Sequence, residues 1–196
     1  MSTREDVRAY LQESASVMSD AVERCAEDVV AAVKIVTASL HRGGKVLICG
    51  NGGSAADAQH LATELVSTLS KDRIRQAFAA VALTTDTSIL SAIGNDFGFD
   101  GVFERQVEAL GRPGDTLLAI STSGNSENVL RAVDTAKRLG IRTVALTGAD
   151  GGKLGTRTDV AVRVPAEHTS HIQETHLAIE HAIATMVERA LLSADA

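Results

Sequence analysis

A chain of 196 residues, 44% of them hydrophobic, is long enough to bury one full core, so we expect a single domain. Its formal net charge of −6, without any basic run, argues against nucleic acid or an anionic membrane as the main partner. Aromatic residues make up only 3% of the chain and tryptophan is absent, so stacking on nucleobases is not expected as a binding mode.

The start of the chain is polar, and no apolar stretch approaches the length of a membrane span. These features predict a cytoplasmic protein. Cys25 and Cys49 show neither a CxxC motif nor a Cys/His spacing, and we interpret both as reduced thiols that pack in the interior.

The first forty residues have a helical pattern. Over 5–41, apolar residues return at three- and four-residue steps without a glycine or proline, which fits two helices or one broken helix. Such long amphipathic helices at both ends of the chain fit either helix-mediated oligomerisation or packing within one subunit.

After residue 44, apolar segments alternate with helical ones. The predicted strands cover 45–49, 77–84, 116–120, 142–146 and 160–164, and the predicted helices cover 54–69, 87–93, 102–110, 126–139 and 170–192. Nearly all-apolar strands in alternation with helices predict an α/β three-layer sandwich with a five-stranded parallel sheet. Ligands of such sheets bind beyond the carboxyl ends of the strands.

The stretch 117–126 is the most informative part of the chain. A predicted buried strand runs into a loop rich in hydroxyls, Gly124 permits a tight turn, and the helix that follows offers unpaired N–H groups and the positive end of its dipole. The hydroxyl donors are Ser121, Thr122, Ser123 and Ser126. The loop has no lysine and no Walker pattern, so it predicts a phosphate monoester on a small molecule rather than a nucleoside triphosphate. A simple helix cap by Ser123 or Asn125 would not need four hydroxyls.

A second strand-to-helix turn lies at 50–54 and contains three glycines. Ser54 is the predicted N-cap, in a capping-box-like pair with Asp57, and the glycines let the backbone approach a ligand closely. Because the carboxyl ends of parallel strands share one edge of a sheet, we expect this turn, the polar residues 84–86 and the serine loop to converge.

Two helical segments carry imidazoles and carboxylates. His60 and Glu64 lie four residues apart on one face, which suits a shared metal ion or an acid/base pair, although a solvated ion pair has the same spacing. The last helix carries Gln173, Glu174, His176, Glu180 and His181. Gln173 lies about 80° from His181 around the helix axis. Spacing alone does not choose between His176 and His181. We interpret His168 and His171 as exposed loop or cap residues without a chemical role.

Six motifs together resemble the sugar isomerase (SIS) domain and, within it, the phosphoheptose isomerase family. They read Gly-Asn-Gly-Gly-Ser-Ala-Ala-Asp-Ala-Gln-His, Ala-Leu-Thr-Thr-Asp, Ala-Ile-Gly-Asn-Asp, Ile-Ser-Thr-Ser-Gly-Asn-Ser, Ala-Leu-Thr-Gly and Ile-Gln-Glu-Thr-His. The resemblance spans nearly the whole chain. It implies one SIS domain over 1–196 with a flavodoxin-like fold, in which residues 1–41 form N-terminal helices used for packing or oligomerisation.

The resemblance also implies an activity. It is the aldose-ketose isomerisation of D-sedoheptulose 7-phosphate to D-glycero-D-manno-heptose 7-phosphate through a cis-enediol, the first step of ADP- or GDP-heptose biosynthesis for products such as the lipopolysaccharide core. For this reaction we expect Glu64 to be the principal base and His181 the complementary acid. A homotetramer with active sites at subunit contacts is implied as well.

Further site residues come from the same resemblance. The implied zinc ligands are His60, Glu64, Gln173 and His181, which selects His181 over His176. The implied substrate contacts are Asn51, Gly52, Gly53, Ser54, Glu64, Asn95, Asp96, Ser121, Thr122, Ser123, Ser126 and Gln173.

The chain departs from the family pattern beyond the His60/Glu64 helix. Relatives often have an arginine where this chain has Thr68, and the segment 71–77 is slightly longer than usual; Arg73 and Arg75 are candidates to replace that arginine. Two alternatives remain: a non-catalytic SIS protein of the replication-initiator-associating type, and an SIS isomerase or regulator for another phosphosugar such as arabinose 5-phosphate. The match at all four implied metal ligands favours an enzyme, and the absence of a fused DNA-binding domain argues against a regulator.

Overall fold

The computed structural model describes residues 2–68 and 75–194. The helices are α1 (Thr3–His41), α2 (Gly53–Val66), α3 (Thr87–Phe97), α4 (Glu104–Leu110), α5 (Glu127–Arg138), α6 (Leu154–Arg157) and α7 (Thr169–Ala194), with a 3-10 turn at Phe99–Gly101. The strands are β1 (Val46–Gly50), β2 (Ala80–Ala82), β3 (Thr116–Ile120), β4 (Arg142–Thr147) and β5 (Val160–Arg163).

The five strands form one parallel sheet in the order β2-β1-β3-β4-β5. Strands β1 and β3 are buried at every position, as expected for parallel strands with both faces covered. The order is that of flavodoxin-like folds, in which the chain reverses direction across the sheet between β1 and β3 and leaves a crevice there. The predicted five-stranded parallel sheet is confirmed.

Two hydrophobic cores cover the two faces of the sheet. Val46 and Ile48 point to the face packed by α1, α2 and α7, whereas Leu47 and Cys49 point to the face packed by α4, α5 and α6. Alternate residues of a strand point to opposite faces, so a continuous apolar run fills both cores. The predicted three-layer sandwich is therefore confirmed.

Residues 3–41 form one continuous helix, so the prediction of two helices or a broken one was wrong. A capping box between Ser2 and Glu5 starts the helix, and Gly43, at a φ of +77°, follows its end. Between them no glycine or proline interrupts the hydrogen-bond ladder. The second half packs on α7 and β5, while most of the first half is exposed.

Three further details differ from the sequence prediction. The strand predicted over 77–84 is only three residues long, because β2 is an edge strand that pairs at three positions with β1. The helix predicted over 102–110 begins at Glu104, after the 3-10 turn. The short helix α6 was not predicted.

Cys25 and Cys49 are free thiols and both are buried, as expected. Burial raises the pKa of Cys49 to about 12, which leaves it protonated and unreactive at neutral pH. Of the helices in the described part of the chain, none combines the length and the apolar content of a membrane span.

Candidate active site

The glycine-rich turn after β1 starts helix α2 earlier than predicted. Gly52 is the N-cap and has a φ of +56°, a left-handed conformation that glycine adopts without strain. Ser54 lies in the first turn of the helix and is buried, so its prediction as the N-cap was wrong. Among residues 2–68 and 75–194, no side chain caps the first backbone N–H groups of α2.

The serine loop after β3 gathers its hydroxyls at one point. Ser121 Oγ lies 3.0 Å from Ser126 Oγ and 3.5 Å from Ser123 Oγ. Gly124 has a φ of +64° and its N–H donates to the carbonyl of Ser121, which closes the turn. An added Cβ at Gly124 would overlap the backbone of Gly151, so this position also requires glycine for close packing.

The amino end of α5 is open. Its N-cap is Ser126, whose hydroxyl makes no hydrogen bond to the helix. The capping role weighed for Ser123 or Asn125 is not seen, because Ser123 Oγ accepts from the N–H of Asn125 within the loop itself. Three hydroxyls above an uncapped helix terminus form a cradle of donors suited to an anion.

His60, Glu64 and His181 form a cluster of metal-ligating groups, and their ligand atoms all lie within 4.8 Å of one another. The Nε2 atoms of His60 and His181 are 2.9 Å apart, and His60 Nε2 is 3.7 Å from Glu64 Oε1. His60 and Glu64 are on α2 and His181 is on α7, so helix packing brings them together. Two imidazole nitrogens and a carboxylate that converge in this way fit the ligand preferences of zinc.

Gln173 also faces α2. Its carboxamide lies against Gly53, where an added Cβ would overlap it. The carboxylate of Asp57 accepts a hydrogen bond from Gln173, which lowers the Asp57 pKa, but burial outweighs this effect and raises that pKa to about 6. Because the amide donates through its nitrogen, the carbonyl oxygen of Gln173 stays available as a ligand.

His176 is placed differently from His181. It is fully buried, and its Nε2 lies 3.1 Å from the carbonyl of Thr147 at the end of β4. Burial lowers the pKa of His176 to about 4, so the ring is neutral and donates to that carbonyl. The structure thus brings His181, and not His176, to the His60 and Glu64 pair.

Glu180, the neighbour of His181, is fully buried, and neither carboxyl oxygen has a hydrogen-bond partner among the described residues. Burial and, to a smaller extent, the charge of Asp57 together raise its pKa to about 9. The interpretation of His171 as exposed was wrong: the ring is buried, 3.2 Å from a Glu174 carboxylate oxygen and 3.7 Å from Glu13.

The loop after β2 meets α2, as predicted, through a hydrogen bond of 3.2 Å from Thr84 Oγ1 to the carbonyl of Ala55. Asp86 caps α3 at Ile89 N. Asn95 and Asp96 are exposed near the end of α3 and bond to each other at 2.7 Å. Within residues 2–68 and 75–194, no hydrogen bond or ion pair joins these two to the serine loop or to the His60 cluster.

Of the two arginines considered as replacements for the family's arginine, Arg73 lies outside the described residues. The side chain of Arg75 is buried and points into the protein, where it donates to Glu188 at 2.6 Å and to the carbonyls of Glu64 and Leu65. In this chain Arg75 therefore holds the carboxyl end of α2.

One polar contact between the two loops was missed by the sequence analysis. The side-chain amides of Asn51 and Asn128 exchange two hydrogen bonds, of 2.8 and 2.9 Å. The sequence feature that could have indicated this contact is Asn128, an asparagine near apolar residues in the first turn of the helix that follows the serine loop.

Comparison with known proteins assigns the chain to a family. The SIS domain family model matches residues 9–148. A phosphoheptose isomerase from Rhodospirillum rubrum is 50% identical over 189 residues, which cover 96% of this chain and 99% of the relative.

Solved structures agree with this assignment. The phosphoheptose isomerase GmhA from Neisseria gonorrhoeae superposes with a TM-score of 0.91 at 46% identity, and a phosphoheptose isomerase from Francisella tularensis with 0.92 at 36%; each match covers 96% of this chain and all of the other. The chain therefore belongs to the SIS domain family and, within it, to the phosphoheptose isomerases.

Proposed function

We propose that this chain isomerises D-sedoheptulose 7-phosphate to D-glycero-D-manno-heptose 7-phosphate. The proposal is carried by two features: an anion cradle on the serine loop, and a cluster of His60, Glu64 and His181 between α2 and α7. The names of relatives at about half identity over nearly the full chain support this substrate.

The serine loop binds the phosphate end of the sugar. Ser121, Thr122, Ser123 and Ser126 donate hydroxyls, and the open amino end of α5 adds backbone N–H groups. The phosphate is remote from the reacting carbons, so its binding energy fixes the sugar chain in a reactive position. Asn51, Gly52, Gly53 and Ser54, on the adjacent turn, contact the middle of the substrate.

The reacting end of the sugar lies over the cluster of His60, Glu64 and His181. Glu64 removes a proton from C1 and returns it to C2, and His181 exchanges protons with the two oxygens, so that the reaction passes through a cis-enediol. Each well-placed acid or base contributes roughly 10²–10⁴-fold to the rate.

A divalent metal ion, which we propose to be zinc, fits the same residues. Its ligands would be His60, Glu64 and His181, whose ligand atoms converge within 4.8 Å, together with the carbonyl oxygen of Gln173. When bound, the ion supplies a Lewis acid that polarises the substrate carbonyl. A carboxylate that held such an ion would be a weaker base, so either Glu64 would loosen from the ion during turnover or the ion would mainly organise the site.

We also propose a homotetramer with active sites at subunit contacts. Large apolar side chains are exposed along α1 and α7, and three of them, Met18, Val22 and Val30, line a groove of about 490 Å³ between these helices. The exposed side chains are Val7, Leu11, Met18, Val22, Val30, Leu177 and Met186. Contacts between copies would also let Asn95 and Asp96 reach the substrate of a neighbouring subunit.

The free, buried thiols Cys25 and Cys49 support a reducing compartment, and we propose the cytoplasm. The product serves heptose biosynthesis in this proposal, as a precursor of ADP- or GDP-heptose for products such as the lipopolysaccharide core. No nucleic acid or membrane partner is part of it.

The test is conversion of sedoheptulose 7-phosphate by the purified protein, with and without a chelator. Glu64→Gln and His181→Ala each abolish conversion and keep the fold, while His168→Ala, an exposed imidazole before α7, keeps near-normal turnover. Near-normal turnover in either of the first two variants rejects their roles. Conversion of arabinose 5-phosphate instead, or of neither sugar, favours the isomerase of another phosphosugar or the non-catalytic protein.

A further inference from the structure

The crevice between β1 and β3 is crossed by a pair of side-chain amides. Gly50 at the end of β1 is in register with Ile120 at the end of β3, so the two loops that follow run side by side. Helix α2 then packs on one face of the sheet and α5 on the other. Asn51 follows β1 directly, and Asn128 lies in the first turn of α5. A bond between them therefore joins the two halves of the candidate site across the point where they diverge.

The pair has the geometry of a cyclic amide dimer. Asn51 Nδ2 donates to Asn128 Oδ1 at 2.8 Å, and Asn128 Nδ2 donates to Asn51 Oδ1 at 2.9 Å. Both distances are in the range of strong N–H to carbonyl bonds. Asn128 is 3% exposed, so its amide depends mainly on Asn51 rather than on water for hydrogen bonds.

The dimer fixes what Asn51 can offer to a ligand. A primary amide has two N–H donors and one carbonyl oxygen, and the dimer uses one donor and one lone pair of that oxygen on each side. Asn51 keeps one N–H that points away from Asn128. While the pair is intact the Asn51 amide cannot flip, so this N–H cannot exchange places with the oxygen. This oriented N–H is a donor, which suits the oxygen-rich substrate proposed here.

We propose that Asn128 is a positioning residue of the isomerase site: it holds Asn51 so that the remaining N–H is aimed at the bound sugar phosphate, and it ties the glycine-rich turn to the serine loop. The inference rests on the proposed function. Asn128 itself is buried behind Asn51 and acts only through it.

A double-mutant cycle with sedoheptulose 7-phosphate as the probe tests this role. Asn51→Ala removes one hydrogen bond to the substrate, and we expect about a tenfold loss of kcat/KM, mostly in KM. Asn128→Ala causes a similar loss. Because Asn128 acts through Asn51, the double variant loses about tenfold as well, rather than about a hundredfold.

A second variant protects the test against a folding defect. Asn128→Leu keeps the approximate volume of the side chain but has neither a donor nor an acceptor, so both hydrogen bonds to Asn51 are lost and its amide is free to turn. This variant also loses about tenfold in kcat/KM. Combining it with Asn51→Ala adds little to the loss that Asn51→Ala causes alone. Thr135→Val is the matched control, since Thr135 is equally buried on α5 but two turns away from the loops, and it leaves KM unchanged.

The outcomes separate the two proposals. If the wild-type protein does not convert the heptulose phosphate, the proposed function fails. If the wild type is active but the losses at Asn51 and Asn128 multiply in the double variant, or neither Asn128 variant changes kcat/KM, the positioning role is overturned and the activity stands.

Discussion

Replacing Arg75 should destabilise the protein far more than replacing an exposed arginine. The Arg75 side chain is 1% exposed and that of Glu188 is 8% exposed, with 2.6 Å between Nε and the carboxylate. The guanidinium also donates to the carbonyls of Glu64, Leu65 and Gln76 at 2.9–3.0 Å. Arg75→Met therefore leaves a buried carboxylate without its counter-charge and three carbonyls without this donor.

The size of the effect follows from burial. Removing one partner of a buried ion pair costs about 3–5 kcal/mol, whereas an exposed pair contributes about 0–1 kcal/mol. Arg131, whose side chain is 44% exposed and pairs with Glu127 at 3.3 Å, provides the matched control through Arg131→Met. In a chain of this size, a loss of 3–5 kcal/mol lowers Tm by about 6–20 °C.

Urea unfolding followed by circular dichroism measures both variants, at one fixed protein concentration because assembly would shift the midpoint. The double variant Arg75→Met with Glu188→Leu should recover most of the lost stability, since no unpaired charge stays buried. Equal losses for Arg75→Met and Arg131→Met would refute the reasoning and would place Arg75 at the surface of the folded protein.

Three further predictions concern the site and the core. Removing the hydroxyls of Ser121 and Ser123 together should raise KM by at least about tenfold, because they bind the remote phosphate, and should lower kcat by a smaller factor, because the sugar is held less firmly in its reactive position; an unchanged KM in steady-state kinetics would place the phosphate elsewhere. His60→Ala should weaken zinc binding by more than about 100-fold in calorimetric titration, because even partners outside the ligand set cost 10–100-fold; undiminished affinity would contradict its role as a ligand. Burial lowers the pKa of His176 from 6.5 to about 4. As the pH drops, the unfolded chain therefore takes up a proton before the folded one does. The free energy of unfolding falls by roughly 3 kcal/mol between pH 6.5 and 4. His176→Gln keeps a donor for the Thr147 carbonyl and should flatten this part of the stability profile, and a profile as steep as that of the wild type would disprove the assignment.

Patterns within one segment predicted the fold well. The strand over Thr116–Ile120 was predicted to the residue, because a fully buried strand is apolar at every position and is bounded by polar residues. The limits of β2 were not predictable in this way, since pairing with a neighbour, and not its own pattern, decides where an edge strand ends. Helix α6 has only four residues, too few to show a period.

The site was predictable only in part for a related reason. The hydroxyls of the serine loop are neighbours in sequence, so their convergence could be expected. His60 and His181 are 121 residues apart, and spacing on separate helices does not reveal that their ring nitrogens meet. The Asn51 and Asn128 pair was missed because nothing in either segment points to the other across the sheet.

The short outer strands of the sheet influence how copies of this protein can associate. Strand β2 has three residues and β5 has four, and a sheet edge of this length presents few free backbone groups to a strand of another molecule. Continuous β-stacking from molecule to molecule, the route to fibrils, is therefore disfavoured at both borders. Association through helical surfaces can instead close on itself by rotational symmetry, which limits the number of copies in each particle.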